Sequence, residues 1–111
     1  MSTVPPGDIA VAKAYKSGQL AVSDTVVGLA DAAGVETDDL LAAHEVWITV
    51  GGGALRFRAG GQDPTTSAGL VHGEAAGILT VRGGANVRAL RLVRDGDTDV
   101  MVDFELAKVV R

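Results

Sequence analysis

The chain has 111 residues, a formal charge of −4 and no cysteine; 47% of its residues are hydrophobic, yet only one Trp, one Tyr and two Phe are among them. This is the size of one domain with a core of Val, Leu, Ile and Ala, and the missing cysteines exclude a disulfide framework, a thiolate metal site and a cysteine nucleophile. No apolar run reaches the roughly 18 residues of a membrane helix, the first residues lack the basic and apolar regions of a signal peptide, and no basic stripe marks a nucleic-acid partner.

Residues 1–8 read as an extended arm ahead of a domain spanning 9–111. Pro5 and Pro6 remove two backbone donors and favour polyproline-like geometry, with Val4 and Ile9 as apolar anchors. Period-two alternation then predicts short strands. The first runs from Ile9 to Tyr15, and Ser17-Gly18-Gln19 turns into a second from Leu20 to Val27, where Leu20, Val22 and Val26 share a face and Asp24 breaks the pattern. Residues 28–36 form a loop. Thr37 has the chemistry of a helix N-cap, Asp38 and Asp39 suit the first turn, and one or two helical turns to His44 plug an end of the core.

From residue 45 the alternation sharpens. Val46, Ile48 and Val50 lie opposite Glu45, Trp47 and Thr49; Gly51-Gly52-Gly53 allows a tight reversal; Leu55 and Phe57 alternate with Arg56 and Arg58, so the pattern predicts a hairpin. A long connection over 60–77 holds a short strand near Leu70-Val71, and Leu79 and Val81 mark another, ended by Gly83-Gly84. Val87 to Arg94 is apolar on both parities, as in a strand covered on both faces. Asp95-Gly96-Asp97 turns the chain into a last strand with Val100, Val102, Phe104 and Leu106 on one side. Seven or eight short strands with one helical insert predict an all-β fold: a single antiparallel β-sandwich of jelly-roll or Greek-key type. The expected core is Val46, Ile48, Val50, Leu55, Phe57, Leu90, Leu92, Val100, Val102 and Phe104.

Chemistry-bearing patterns are sparse. His44 and His72 lack metal-ligand spacing, and Ser17, Ser23 and Ser67 lack a nucleophile elbow. The glycine runs carry no Lys-Ser/Thr for a phosphate loop, and Asp95, Asp97 and Asp99 miss the Gly and Glu of an EF-hand. We therefore expect no catalytic residue, no metal and no cofactor. Arg56, Arg58 and Arg91 project from strand faces, as do Asp103 and Glu105, either as cross-strand ion pairs or as a docking surface. Trp47 shares the outward parity of Glu45 and Thr49, which makes it a loop-covered residue or part of a binding surface.

The order of motifs from Trp47 to Leu106 carries a resemblance. Ile48-Thr49-Val50, a turn, Leu55-Arg56-Phe57-Arg58, then Asp63-Pro64-Thr65-Thr66-Ser67-Ala68-Gly69, and finally Ala89-Leu90-Arg91-Leu92-Val93-Arg94-Asp95-Gly96-Asp97-Thr98-Asp99-Val100-Met101-Val102-Asp103-Phe104 resemble small β-sandwich accessory virion proteins of tailed bacteriophages and prophages. Those commonly show an "RFR" or "RWR" strand, a "DGxxPTxxxG" loop and a closing "FRxIRxGxTDAxLxVxY" segment. Here Gly60-Gly61-Gln62-Asp63 replaces the Asp-Gly ahead of the Pro-Thr, and the closing aromatic is Phe104. The resemblance implies a non-enzymatic capsid decoration (cement) protein, head-fibre base, or neck or tail part. It would be assembled in the host cytoplasm and displayed on the capsid surface. Its partner would be the major capsid protein or another virion protein, and it would be a homo-oligomer with a trimer favoured, bound to neither nucleic acid nor membrane. The interface candidates are Val4, Pro5, Pro6, Ile9, Trp47, Arg56 and Arg58. The alternative is a ligand- or carbohydrate-binding β-sandwich module, for which one Trp and one Tyr are few.

Overall fold

A computed structural model describes residues 11–110. Its seven strands are β1 (Val11–Val22), β2 (Glu45–Gly51), β3 (Ala54–Arg58), β4 (Leu70–Gly73), β5 (Leu79–Arg82), β6 (Arg91–Arg94) and β7 (Val100–Val110). They form a four-stranded sheet in the order β1-β7-β2-β5 and a three-stranded sheet in the order β4-β3-β6, with every pairing antiparallel. Among the described residues there are also two short α-helices, α1 (Thr37–Ala42) and α2 (Gly84–Ala89), and two single 3-10 turns, Leu29–Asp31 and Glu74–Ala76. The expected all-β sandwich with a short helical insert is what forms.

The core lies between the sheets and follows the alternation. Leu20, Val22, Val46, Ile48, Val50, Val102, Phe104 and Leu106 of the larger sheet are buried, as are Leu55 and Leu92 of the smaller one. Leu29, Leu40, Val87 and Leu90 join the same cluster from the helices and loops. Of the expected core, Phe57 alone is only partly buried. Val93, on the other parity of β6, is buried too, and Pro64 of the long connection is among the fully buried side chains. The apolar character of β6 on both parities thus corresponds to cover on both faces.

Four local expectations are corrected. The predicted turn at Ser17-Gly18-Gln19 is absent: β1 runs unbroken along β7, with an irregularity between Ala14 and Lys16. Gly18 is there for close approach. It faces Phe104, and a Cβ on it would stand 2.3 Å from that ring's Cζ. Asp24 spoils no strand, because β1 has ended at Val22. Second, β2 and β3 form no hairpin. Each pairs with other strands, and Gly51-Gly52-Gly53 carries the chain from one sheet to the other, with φ of +91° at Gly52 and +154° at Gly53. Third, Val87–Arg94 is not one strand: Gly84–Ala89 is a helical turn and a half, and only Arg91–Arg94 is extended. Fourth, α1 is capped from Glu36, whose N–H donates to Asp39 Oδ2 at 2.9 Å, so Thr37 is its first helical residue, and it ends at Ala42 rather than at His44. The arm expected over residues 1–8, and Ile9, lie outside the described residues.

Candidate protein-docking face

The outward parity of the four-stranded sheet builds one continuous surface. The registers align Ser17, Glu105, Trp47 and Thr80 in one row and Gln19, Asp103 and Thr49 in the next. A shallow depression of about 340 Å³ opens there, lined by Ser17, Gly18, Trp47, Thr49, Ile78, Asp103, Phe104 and Glu105. Trp47 is half-buried, whereas Ile78 beside it is 65% exposed and Met101 42%.

Each carboxylate on this face is held by a neutral donor. Ser17 Oγ donates to Glu105 Oε1 at 2.9 Å, Gln19 Nε2 donates to Asp103 Oδ1 at 3.1 Å, and the Trp47 indole N–H donates to Glu45 Oε2. The ion pairs among the described residues are Lys16–Asp39, Arg56–Asp95 and Arg94–Asp99, and none of them neutralises Glu45, Asp103 or Glu105. Arg82, the register partner of Glu45, is the cation at one corner. Depression, apolar rim and fixed negative charge therefore coincide at Trp47.

The arginines lie on the other side of the sandwich. Arg56 Nε meets Asp95 Oδ1 at 2.8 Å, and its Nη1 donates to Gly69 O at 3.1 Å, so it ties the 59–69 connection down over the smaller sheet. Arg58 Nη1 donates to Gln62 Oε1 at 2.7 Å, and Arg91 Nη1 to Leu90 O at 2.8 Å. The structure thus separates Trp47 from Arg56 and Arg58, and it separates Asp103 and Glu105 from the arginines that could have paired with them. Val4, Pro5, Pro6 and Ile9 fall outside the described residues. Ile78 escaped notice because only its position beside Leu79, one parity step out, signals it.

The two histidines and the tyrosine are engaged in structure. His44 Nδ1 accepts from Val109 N at 2.7 Å, and His72 Nε2 lies 2.8 Å from Gly77 O. Tyr15 donates its hydroxyl to Asp39 O in α1 and sits under Lys108 Nζ, 5.2 Å from the ring centre, so it takes no part in the Trp47 depression. Burial, reinforced by the Asp39 carboxylate, raises its phenol above the ordinary value. Among the described residues no group of three or more His, Asp or Glu could hold a metal ion, and no helix is long and apolar enough to cross a membrane.

No family model, curated protein or solved structure matches this chain.

Proposed function

We propose that the chain is a non-enzymatic structural protein of a phage-like particle, a capsid decoration protein that binds across capsid subunit junctions as a homo-oligomer. The supporting observation is the outer face of the four-stranded sheet, where half-buried Trp47, exposed Ile78 and fixed carboxylates share one rigid surface. An aromatic anchor amid groups that are already hydrogen-bonded is the anatomy of a protein-docking site. The motif order from Trp47 to Leu106 supplies the particle. Many copies on a lattice would hold by avidity, without strong single contacts.

The test is co-sedimentation of the full chain with tailed-phage capsid particles assembled without it. The expected result is saturable binding at a fixed number of copies per particle, with Trp47→Ala lowering occupancy about tenfold or more. A chain that stays in the supernatant overturns the reading. The alternative, a ligand- or carbohydrate-binding module, draws on the 340 Å³ depression. Its weakness is that Tyr15, the second aromatic it would recruit, is bound to α1 instead.

A further inference from the structure

Arg91 stands where β6 begins, and its guanidinium is fixed without a carboxylate. Its Nη1 donates to Leu90 O at 2.8 Å and to Arg88 O at 3.2 Å. It lies against Gly28, where a Cβ would stand 2.9 Å from that Nη1. Gly28 has φ −119° and ψ 175°, an extended backbone that any residue adopts, so what the glycine supplies is room for the guanidinium. Arg91 also lines a hollow of about 330 Å³ where the 26–31 segment, α1, the 59–69 connection, α2 and β6 meet. Leu29, Leu40 and Val87 give the hollow an apolar, buried floor. Its carboxylates are Asp31 and Asp63, both exposed, and Asp31 Oδ2 accepts from Gly28 N at 2.8 Å. Arg88, the other cation of the lining, is exposed and turns back toward Gly84, where a Cβ would stand 3.0 Å from its Nη1. None of these four charged residues belongs to an ion pair among the described residues.

We propose that this hollow binds a free aliphatic α-amino acid. The two carbonyl bonds to Nη1 use one arm of the Arg91 guanidinium and hold it in place, which leaves Nε and Nη2 to grip the ligand's carboxylate with charge-assisted hydrogen bonds. A carboxylate alone would bring a third negative charge beside Asp31 and Asp63, and an ammonium alone a third positive charge beside Arg88 and Arg91. A zwitterion meets both signs: its ammonium goes to the aspartates while its carboxylate goes to Arg91. Its aliphatic side chain then covers Leu29, Leu40 and Val87 and is withdrawn from water with them. The volume stands at the lower end of the roughly 300–1,000 Å³ range of small-molecule sites, which suits a single amino acid rather than a larger ligand. The hollow shares no lining residue with the Trp47 depression, so binding there does not rest on the capsid reading.

Chemical-shift titration of the isotope-labelled full chain with L-leucine tests this. The backbone amides of Gly28, Asp31 and Arg91 should shift saturably at millimolar L-leucine. Isocaproate, which lacks the ammonium, and L-leucinamide, which lacks the carboxylate, should each bind about tenfold more weakly or worse. Arg91→Gln should weaken L-leucine binding by about tenfold or more. Gly28→Ala should weaken it without changing a charge, because the added methyl displaces the guanidinium. Trp47→Ala should leave the titration as it is. No saturable shift in the wild-type chain overturns the proposal, as does isocaproate or L-leucinamide binding as tightly as L-leucine, or a set of shifts centred on Trp47. The ligand series on wild type decides the matter even where a variant fails to fold. L-leucine binding without particle binding removes the capsid reading and leaves this site standing; particle binding without L-leucine binding does the reverse.

Discussion

Gly18 and Phe104 set the tightest constraint at the level of single residues. The Phe104 ring fills the space a side chain at 18 would need, so Gly18→Ala forces the ring or the edge strand to move. We expect a loss of about 1–3 kcal/mol, read from chemical denaturation. Phe104→Ala should cost about 3–5 kcal/mol and Phe57→Ala less, since Phe57 is only partly buried. Gly18→Ala made in a Phe104→Leu background should be much better tolerated, a coupling that a double-mutant cycle measures. Tyr15 makes a pH-dependent contribution. Its folded pKa lies above its ordinary value near 10, so folding favours the neutral phenol. The stability this supplies is complete below about pH 10 and is lost as pH rises through the raised value. Denaturation midpoints should fall on this alkaline limb for the wild type, and Tyr15→Phe should flatten it while costing about 0.5–1.5 kcal/mol for the lost hydrogen bond to Asp39 O.

At the scale of elements, the connections carry the specificity that alternation lacks. Gly52 sits at φ +91° where the chain leaves one sheet for the other, and Gly52→Ala should cost about 1–3 kcal/mol by thermal melt. Arg56 anchors the 59–69 connection through Asp95 and Gly69, so Arg56→Ala should speed proteolytic cleavage there with little change in far-UV circular dichroism. The strands were legible in the sequence where one face is dry and the other wet. Val46, Ile48 and Val50, and Val100, Val102, Phe104 and Leu106, are buried as their parity requires. The partners were not legible, because a reversal through three glycines looks alike whether the next strand pairs with the last or crosses to the facing sheet. Alternation also misreads a helix as short as α2, where Val87 and Leu90 are three residues apart and both buried, the same residues that look apolar on both faces of a strand. Trp47 was legible as outward-facing; its separation from Arg56 and Arg58 followed from the sheet crossing and so was hidden with it.

For the molecule as a whole, the Trp47 face carries carboxylates held by neutral donors, whereas on the other side Arg56 and Arg94 are paired with Asp95 and Asp99 and the hollow at Arg91 is lined by Asp31 and Asp63. Among the described residues β1 begins at Val11, and residues 1–8 are the expected arm. A chain truncated by those eight residues should keep its fold, with a melting temperature within about 4–8 °C of the full chain's, and should lose occupancy on particles if the arm helps to hold them. A truncated chain that unfolds would make the segment integral to the domain.

The placement of β7 has a kinetic consequence. It lies between β1 and β2, so the four-stranded sheet is built around the strand that comes last of its four in chain order. Until Val100–Val110 emerges, β1 and β2 have no common neighbour, and Leu20, Val22, Val46 and Ile48 cannot be enclosed as they are in the finished domain. Closing this sheet must wait for β7 and then bring together residues as distant in sequence as Val11 and Val110. Such non-local closure belongs to folding in milliseconds to seconds rather than microseconds. During synthesis the unpaired early strands are the segments most exposed to pairing with another nascent chain.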